Sequence, residues 1–164
     1  MKILAIIFND LFASLHGNNR RESLAKVAQM GHQLNLICMG RSETERTLGS
    51  MKVRTIKLGK ILVLSWIHFW FRAILTIKKF GYENYDAVIL DYPCFPISLV
   101  IKTKSWLRRS DRPVIVMQVR NRPVISTGLK GFLLYVHYRL MLSMSKYFAD
   151  GICTSNDVAS TALA

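Results

Sequence analysis

Residues 17–39, GNNRRESLAKVAQMGHQLNLICM, predict a helix, a tight break and a strand. Their apolar residues first recur at helical spacing, and from Gln33 onward they form a short continuous run that suits a buried strand. Gly31 stands between the two segments, where a helix needs a residue in the left-handed conformation in order to end. Residues 2–8, KILAIIF, have strand length and precede the helix. Together these segments predict one βαβ unit.

The rest of the chain repeats this alternation. Further strands are expected at residues 51–58, 87–90, 114–119 and 149–155, and further helices at residues 61–79, 97–109 and 128–148. Residues 40–50 are polar and predict a surface connection, whereas residues 51–58 alternate apolar with basic residues as an edge strand does. The pattern predicts a single α/β domain over residues 1–164. We expect a Rossmann-like, doubly wound, mostly parallel six-stranded sheet in the order 3-2-1-4-5-6, with helices on both faces.

The chain is strongly basic and rather apolar. Its net charge is +13, its isoelectric point is about 10.1, and 51% of its residues are hydrophobic, with a mean hydropathy of +0.21. This composition excludes a disordered chain and attracts nucleic acid, anionic lipid or phosphorylated substrates. Nucleic acid is the least favoured partner, because no RNA-binding aromatic motif, zinc finger or basic helix–turn–helix pattern is present. Cys38, Cys94 and Cys153 are far apart and predict reduced buried thiols, with no metal site.

The most apolar segment, residues 61–79, leaves two interpretations open. Its polar residues recur at helical spacing and form one stripe of Ser65, His68, Arg72, Thr76 and Lys79. A central arginine and histidine argue against a lone membrane-spanning helix. Either the helix is a buried layer of the domain with this stripe at the surface, or part of its aromatic face enters a membrane interface. That aromatic face consists of Trp66, Phe69 and Trp70.

The helix expected at residues 128–148 leaves a similar choice. One face is apolar and consists of Leu129, Phe132, Leu133, Val136, Leu140 and Met144. A second side is aromatic and carries Tyr135 and Tyr138. Either the apolar face packs into the core while cations extend around it, or the helix touches lipid head groups.

The first βαβ unit resembles the start of family 4 glycosyltransferases with the GT-B fold. In MKILAIIF and HGNNRRESLAKVAQMGHQLNLI, a first strand, a loop containing Gly17 and a helix ending in Gly31-His32 follow each other as they do in that family. Later segments fall in the same order. The dipeptide Tyr85-Asp86 resembles the family's entry to its next strand, and residues 149–155 resemble its closing segment of Ala-Asp, strand and serine.

Residues 114–122 resemble a strand followed by Val-Arg-Asp, which some bacterial and archaeal members of the family contain. Asn121 stands here in place of the acid. Other members have a histidine near this position, and this chain has none there. No catalytic residue is therefore assigned.

The resemblance implies the N-terminal, acceptor-binding domain of a GT-B enzyme, with the C-terminal donor domain absent from residues 1–164. It implies transfer of a sugar from a nucleotide-sugar to a glycan or lipid-linked acceptor, with hexosyltransferase-like activity in the full-length protein. The fragment alone is expected to be inactive, because donor and acceptor must be held side by side. No cofactor is implied, since the nucleotide-sugar is a substrate bound mainly by the missing domain. The expected location is the cytoplasm, at the periphery of an anionic membrane surface.

Ligands of doubly wound sheets bind at the carboxyl ends of the strands, where the strand order reverses. A loop at residues 9–19 is expected at this edge, with Asn18 or Asn19 capping the helix that follows. Arg20 and Arg21 add positive charge to that helix N-terminus, which favours an anion. The crevice would also be lined by Asn9 and Asp10. The candidate substrate-binding residues are His16, Gly17, Asn18, Asp91, Tyr92, Arg120, Asn121 and Arg122.

Two other functions remain open. The chain could be a non-catalytic membrane-tethering subunit of a split glycosyltransferase. It could instead be a Rossmann enzyme that uses a dinucleotide, which binding of NAD would support. The dinucleotide function is the less favoured, because the first loop contains Gly17 but no G-x-G-x-x-G motif.

Overall fold

The computed structural model describes residues 1–12, 15–57, 62–108, 112–119 and 128–154. The strands are β1 (Lys2–Asp10), β2 (Gln33–Gly40), β3 (Thr44–Leu48), β4 (Met51–Lys57), β5 (Ala87–Asp91), β6 (Val114–Val119) and β7 (Gly151–Thr154). The helices are α1 (Leu15–Gln29), α2 (Leu62–Phe80), α3 (Phe95–Arg108) and α4 (Leu129–Phe148). Two 3₁₀ turns span Tyr82–Asn84 and Tyr92–Cys94.

The strands form one sheet in the order β3-β4-β2-β1-β5-β6-β7. All strand pairs except β3–β4 are parallel, and the six strands other than β3 follow the expected order 3-2-1-4-5-6. The predicted Rossmann-like, doubly wound α/β fold is confirmed. Strand β1 lies between β2 and β5. From β1 the chain adds strands on one side, β2 and then β4, and from β5 it adds strands on the other side, β6 and then β7.

The predicted number of six strands is wrong, because residues 40–50 contain a strand. Strand β3 pairs antiparallel with β4, so β4 is not the edge strand that its alternating residues predict. The hydroxyl oxygens of Thr44 and Thr55 lie 2.8 Å apart across this pair, and Arg54 donates a 3.3 Å hydrogen bond to Glu43 beside it. Strand β3 has no buried residue, so it lacks the apolar face by which strands are recognised in a sequence.

The two faces of the sheet carry separate apolar cores. Side chains alternate between the faces along β1, as they do in any strand. Ile3, Ala5 and Ile7 pack on the side of α1, whereas Leu4 and Ile6 pack on the side of α2, α3 and α4. This division follows from right-handed crossovers that run first toward β2 and later toward β6 and β7.

Helix α1 begins earlier than predicted. It starts at Leu15, so Asn18 and Asn19 lie inside its first turns instead of capping it, and residues 15–19 do not belong to a loop. Asparagine and glycine only weakly oppose a helix, and tertiary contacts override such preferences. The end of the helix is as expected, because Gly31 has a φ of +86°, which residues with a side chain rarely adopt.

Helix α2 has the expected extent, but only part of its predicted polar stripe lies at the surface. Ser65 and Thr76 are buried, and Thr76 donates a 2.9 Å hydrogen bond to the carbonyl oxygen of Arg72 within the helix. His68 and Lys79 of the stripe are exposed, and the exposed side also carries the apolar residues Leu64, Ile67, Phe71 and Leu75.

The aromatic face of α2 points into the domain, which favours the first of the two interpretations, a buried layer. The ring of Phe69 is 0% exposed and lies edge-on to that of Phe8, with the ring centroids 5.2 Å apart. The ring of Trp66 also meets Phe8, at 5.7 Å. The indole N–H of Trp70 donates a 2.7 Å hydrogen bond to the carbonyl oxygen of Pro93. These contacts bury the aromatic rings against the end of β1 and the turn after β5.

Helix α4 also turns an unexpected side outward. The predicted apolar core face is largely exposed at Phe132, Leu133, Val136 and Leu140, whereas Tyr138, Leu142 and Ser145 are buried. Gly131 and Ser145 are small, which allows this side of α4 to approach its neighbours closely. Helix α4 touches α2 where the rings of Trp66 and His137 have their centroids 4.6 Å apart. Among the described residues, no helix has the length and hydropathy needed to cross a bilayer.

Candidate functional site

The candidate site lies at the carboxyl edge of the sheet, beside the ends of β1 and β5. The strand order reverses between these two strands, and ligands of doubly wound sheets bind in the crevice that this creates. Asp91 is the last residue of β5, Gln118 lies near the end of β6, and Arg20 reaches them from α1. Three polar side chains from separate segments therefore converge at the reversal point.

Arg20 and Asp91 form a buried ion pair with two parallel hydrogen bonds. Arg20 Nη1 donates to Asp91 Oδ2 at 2.8 Å, and Nη2 donates to Asp91 Oδ1. Nη2 also donates to Gln118 Oε1 at 3.1 Å, and the backbone N–H of Phe8 donates to Asp91 Oδ2 at 3.1 Å. Arg20 and Asp91 are each only 7% exposed.

This arrangement indicates a positioning role for Asp91. A carboxylate that accepts from a guanidinium and a backbone N–H has most of its hydrogen-bonding capacity occupied. The ion pair ties α1 to the ends of β1, β5 and β6, and so fixes the walls of the crevice. Whether Asp91 also touches substrate, as the sequence predicts, stays a prediction.

Tyr92 follows Asp91 in the 3₁₀ turn and is half-buried. Its ring lies edge-on to that of Tyr138, with the ring centroids 5.5 Å apart. Burial raises the pKa of Tyr92, and the nearby Tyr138 raises it further. The hydroxyl of Tyr92 therefore stays protonated at neutral pH, where it can donate a hydrogen bond but cannot act as a base.

The remaining candidate residues are less well defined. His16, Gly17 and Asn18 lie in the first turn of α1, at the helix end that faces the carboxyl edge. Arg120, Asn121 and Arg122 lie outside the described residues, directly after β6. For all of these residues, substrate binding stays a prediction.

The cysteines are only partly as predicted. Cys38 and Cys94 are buried, but Cys153 is exposed, because it belongs to the last described strand, β7, which has only one neighbouring strand. Burial raises the pKa of Cys38 to about 12 and also raises that of Cys94. Neither buried thiol is therefore a nucleophile near neutral pH.

Comparison with solved structures identifies the fold. Sucrose-phosphate synthase from Thermosynechococcus elongatus superposes with a TM-score of 0.61 at 9% identity, covering 94% of this chain and 47% of that protein. UGT71G1 from Medicago truncatula, complexed with UDP-glucose, gives 0.57 at 10% identity, covering 99% and 47%. Trehalose 6-phosphate synthase from Burkholderia multivorans gives 0.56 at 8% identity, covering 99% and 42%.

These proteins are GT-B glycosyltransferases, and the chain spans less than half of the length of each. The likeness confirms the expected resemblance at the level of the fold: the chain has the Rossmann-like fold of one half of such an enzyme. No protein-family model matches the sequence, and no curated protein matches it either.

Proposed function

We propose that the chain is the acceptor-binding domain of a glycosyltransferase. The full-length protein would move a sugar from a nucleotide-sugar to a lipid-linked or polysaccharide acceptor. The main support is that nearly the whole chain superposes on part of several glycosyltransferases, one of them complexed with UDP-glucose. Further support comes from the polar cluster of Arg20, Asp91 and Gln118 at the edge where such folds bind ligands.

We further propose that a C-terminal donor domain completes the cleft, and that residues 1–164 alone are inactive. Sugar transfer requires the donor and the acceptor hydroxyl to be aligned within a few ångströms. One Rossmann-like domain supplies only one wall of the cleft. The other wall, which would bind most of the nucleotide-sugar, has to come from a second domain.

The test is transfer by the full-length native protein. Purified protein is incubated with nucleotide-sugars and a membrane lipid extract, and release of nucleoside diphosphate is measured. We expect release that depends on both substrates, and none from residues 1–164 alone. If release appears only after a separate donor-binding protein is added, the chain is instead a tethering subunit. Absence of release under every combination would refute the glycosyltransferase function.

Arg120 offers a test of the predicted substrate-binding residues. Arg120→Ala in the full-length protein is expected to lower kcat/KM by about tenfold to a hundredfold, because a charge-assisted hydrogen bond to a phosphate contributes about 1.5–3 kcal/mol. Lys78→Ala, at an exposed position near the end of α2, is the control and should leave turnover unchanged. Normal turnover by a folded Arg120→Ala enzyme would remove this role.

We also propose peripheral attachment to the cytoplasmic face of an anionic membrane. The surface involved is not the predicted one. It consists of the outward residues of α2 and α4, namely Leu64, Ile67, Phe71, Leu75, Phe132, Leu133, Val136 and Leu140. Exposed cations border it, with Lys57 beside Leu64 and Phe71 in one groove and Arg139 on α4. Apolar side chains flanked by cations suit an interface of acyl chains and anionic head groups.

Liposome sedimentation tests this attachment. The double variant Ile67→Glu/Phe71→Glu is expected to lower the partition coefficient onto anionic liposomes by about tenfold or more, because burying each side chain contributes about 1.5–3 kcal/mol. Raising the salt concentration should weaken binding of the unmodified protein.

The matched control is Trp106→Glu/Leu107→Glu, which alters an equally exposed apolar pair at the end of α3. It adds the same charge outside the proposed surface and should bind nearly as well as the unmodified protein. Equal loss in both variants would show a charge effect alone, and no binding at low salt would exclude the attachment.

A further inference from the structure

A second pocket opens at the carboxyl edge of the sheet, on the other side of the end of β1 from the ion pair of Arg20 and Asp91. Its volume is about 360 Å³, and it is lined by Asp10, Phe12, Gly40, Arg41, Ser42, Arg46 and Thr55. Asp10 ends β1 and Gly40 ends β2. The pocket therefore occupies the same edge of the sheet as the candidate site, but beside β2 and β4 instead of β5 and β6.

Phe12 holds two guanidinium groups together at the mouth of this pocket. The central guanidinium carbon of Arg21, from α1, lies 5.7 Å from the centroid of the Phe12 ring. That of Arg46, from β3, lies 5.4 Å from it. Cations attract the face of an aromatic ring at such distances, so Phe12 draws together two side chains that would otherwise repel each other.

These cations lack a described counter-ion. Arg41 and Arg46 line the pocket, and Arg21 reaches the Phe12 ring from α1. Within the part of the chain that the structure describes, ion pairs involve Arg20, Arg54, Arg72 and Arg112, and none involves Arg21, Arg41 or Arg46. Two guanidiniums in the pocket and a third over the Phe12 ring produce a field that an anion would neutralise, and the planar fork of arginine suits phosphate oxygens.

The floor of the pocket supplies groups of a different kind. Asp10 Oδ1 accepts a 3.0 Å hydrogen bond from the backbone N–H of Phe12, which fixes the carboxylate at the end of β1. Gly40 packs tightly against Thr55, because a Cβ there would come within 2.8 Å of Thr55 Cβ. A carboxylate accepts hydrogen bonds from hydroxyl groups but repels a phosphate, so the pocket combines a hydroxyl-binding side with an anion-binding side.

We propose, on the basis of the glycosyltransferase function above, that this pocket binds an acceptor saccharide that carries a phosphate or pyrophosphate group. Arg21, Arg41 and Arg46 bind the phosphate oxygens, and Asp10 accepts hydrogen bonds from the sugar hydroxyls. The acceptor is thereby an anionic saccharide, held beside the crevice that α1 and Asp91 define.

Isothermal titration of the purified native protein tests this assignment with four probes: glucose 1-phosphate, inorganic pyrophosphate, glucose and UDP. The two acceptor-like phosphates are expected to bind, and glucose is expected to bind at least about tenfold more weakly because it cannot pair with the arginines. Arg41→Ala/Arg46→Ala should weaken both phosphates by about tenfold or more. Arg41→Lys/Arg46→Lys should retain part of the affinity, since the charge remains.

The control is Lys78→Ala/Lys79→Ala, which removes the same charge from exposed positions at the end of α2 and should leave all affinities unchanged. Arg41 and Arg46 are themselves exposed, so their replacement should not prevent folding, which circular dichroism checks. Unchanged affinity for glucose 1-phosphate in Arg41→Ala/Arg46→Ala would overturn the assignment. So would a loss confined to UDP, because the pocket would then serve the donor.

The binding test of this pocket and the sugar-transfer test of the glycosyltransferase function can fail independently of each other. Arginine-dependent binding of sugar phosphate without any sugar transfer would support the pocket and count against the enzyme. Sugar transfer by a protein whose Arg41→Ala/Arg46→Ala variant binds sugar phosphate normally would support the enzyme and overturn the pocket.

Discussion

Replacing Arg20 with methionine is expected to lower the free energy of unfolding by about 3–5 kcal/mol, because it leaves the carboxylate of Asp91 buried without its partner. Methionine keeps an unbranched apolar stem, so the loss reflects the missing guanidinium more than lost packing. The measurement is urea unfolding at neutral pH. Asp91→Asn should have an effect of similar size, since it leaves the guanidinium buried without an anion.

A second arginine–aspartate pair provides the matched control. Arg112 donates two hydrogen bonds to Asp150, of 2.5 and 2.6 Å, and Arg112 lowers the pKa of Asp150. The side chains of this pair are 32% and 27% exposed, so Arg112→Met should cost about 1 kcal/mol or less. The double variant Arg20→Met/Asp91→Asn should cost less than the sum of its single variants. Equal effects of Arg20→Met and Arg112→Met would contradict a clamping role for the buried pair.

Phe69→Ala is expected to lower the free energy of unfolding by about 3–5 kcal/mol, because truncating a fully buried phenylalanine leaves a cavity in the core. The lost ring also contacts Phe8 at the end of β1, so α2 should separate from the sheet more readily. Chemical denaturation measures the change.

Phe71→Ala is the control for this change, two residues along the same helix. Phe71 is 61% exposed, so its truncation should change the stability by no more than about 0.5 kcal/mol. The pair of variants also decides which side of α2 faces outward. Comparable destabilisation by both would contradict the orientation of α2 described above.

The sequence is sufficient to predict the parallel sheet and the order of its strands. Residues 3–8, 36–39 and 114–117 are continuous apolar runs, and such runs are typical of strands buried on both faces. The crossover from β4 to β5 is likewise predictable, since parallel strands joined by helices follow right-handed connections. Strand β3 was missed because it has no buried residue, so its pairing with β4 leaves no pattern of hydrophobicity.

The orientations of α2 and α4 were not predictable from their own residues. Both helices are apolar on more than one side, so periodicity alone does not decide which side meets the sheet. In α4 the contact uses Tyr138, Leu142 and Ser145, which suit a close approach to α3 and the turn after β5. Which side of each helix packs inward depends on the shape of the neighbouring elements, and this shape cannot be inferred from the residues of the helix itself.

The sequence predicts where the candidate site lies in the sheet, but not which side chains pair with each other there. Asp91 was expected at the carboxyl edge because it ends an apolar strand. Its partner Arg20 is 71 positions away in the sequence, and nothing local marks the two as a pair. The same holds for Phe12, which meets Arg46 of β3, a strand that the sequence does not reveal.

The strand order has a consequence for the chain as it leaves the ribosome. Residues 1–57 contain β1, β2, β3 and β4, which are neighbours in the sheet, so this part can assemble while the remainder is still being synthesised. The second edge of β1 then stays open until β5 emerges, about 30 residues after the end of β4, or roughly 2–6 s at common rates of synthesis. An open apolar edge is prone to pair with other chains. Pairing of β5, secured by Asp91 and Arg20, closes this edge of β1, and the open edge then moves to β5 until β6 pairs with it.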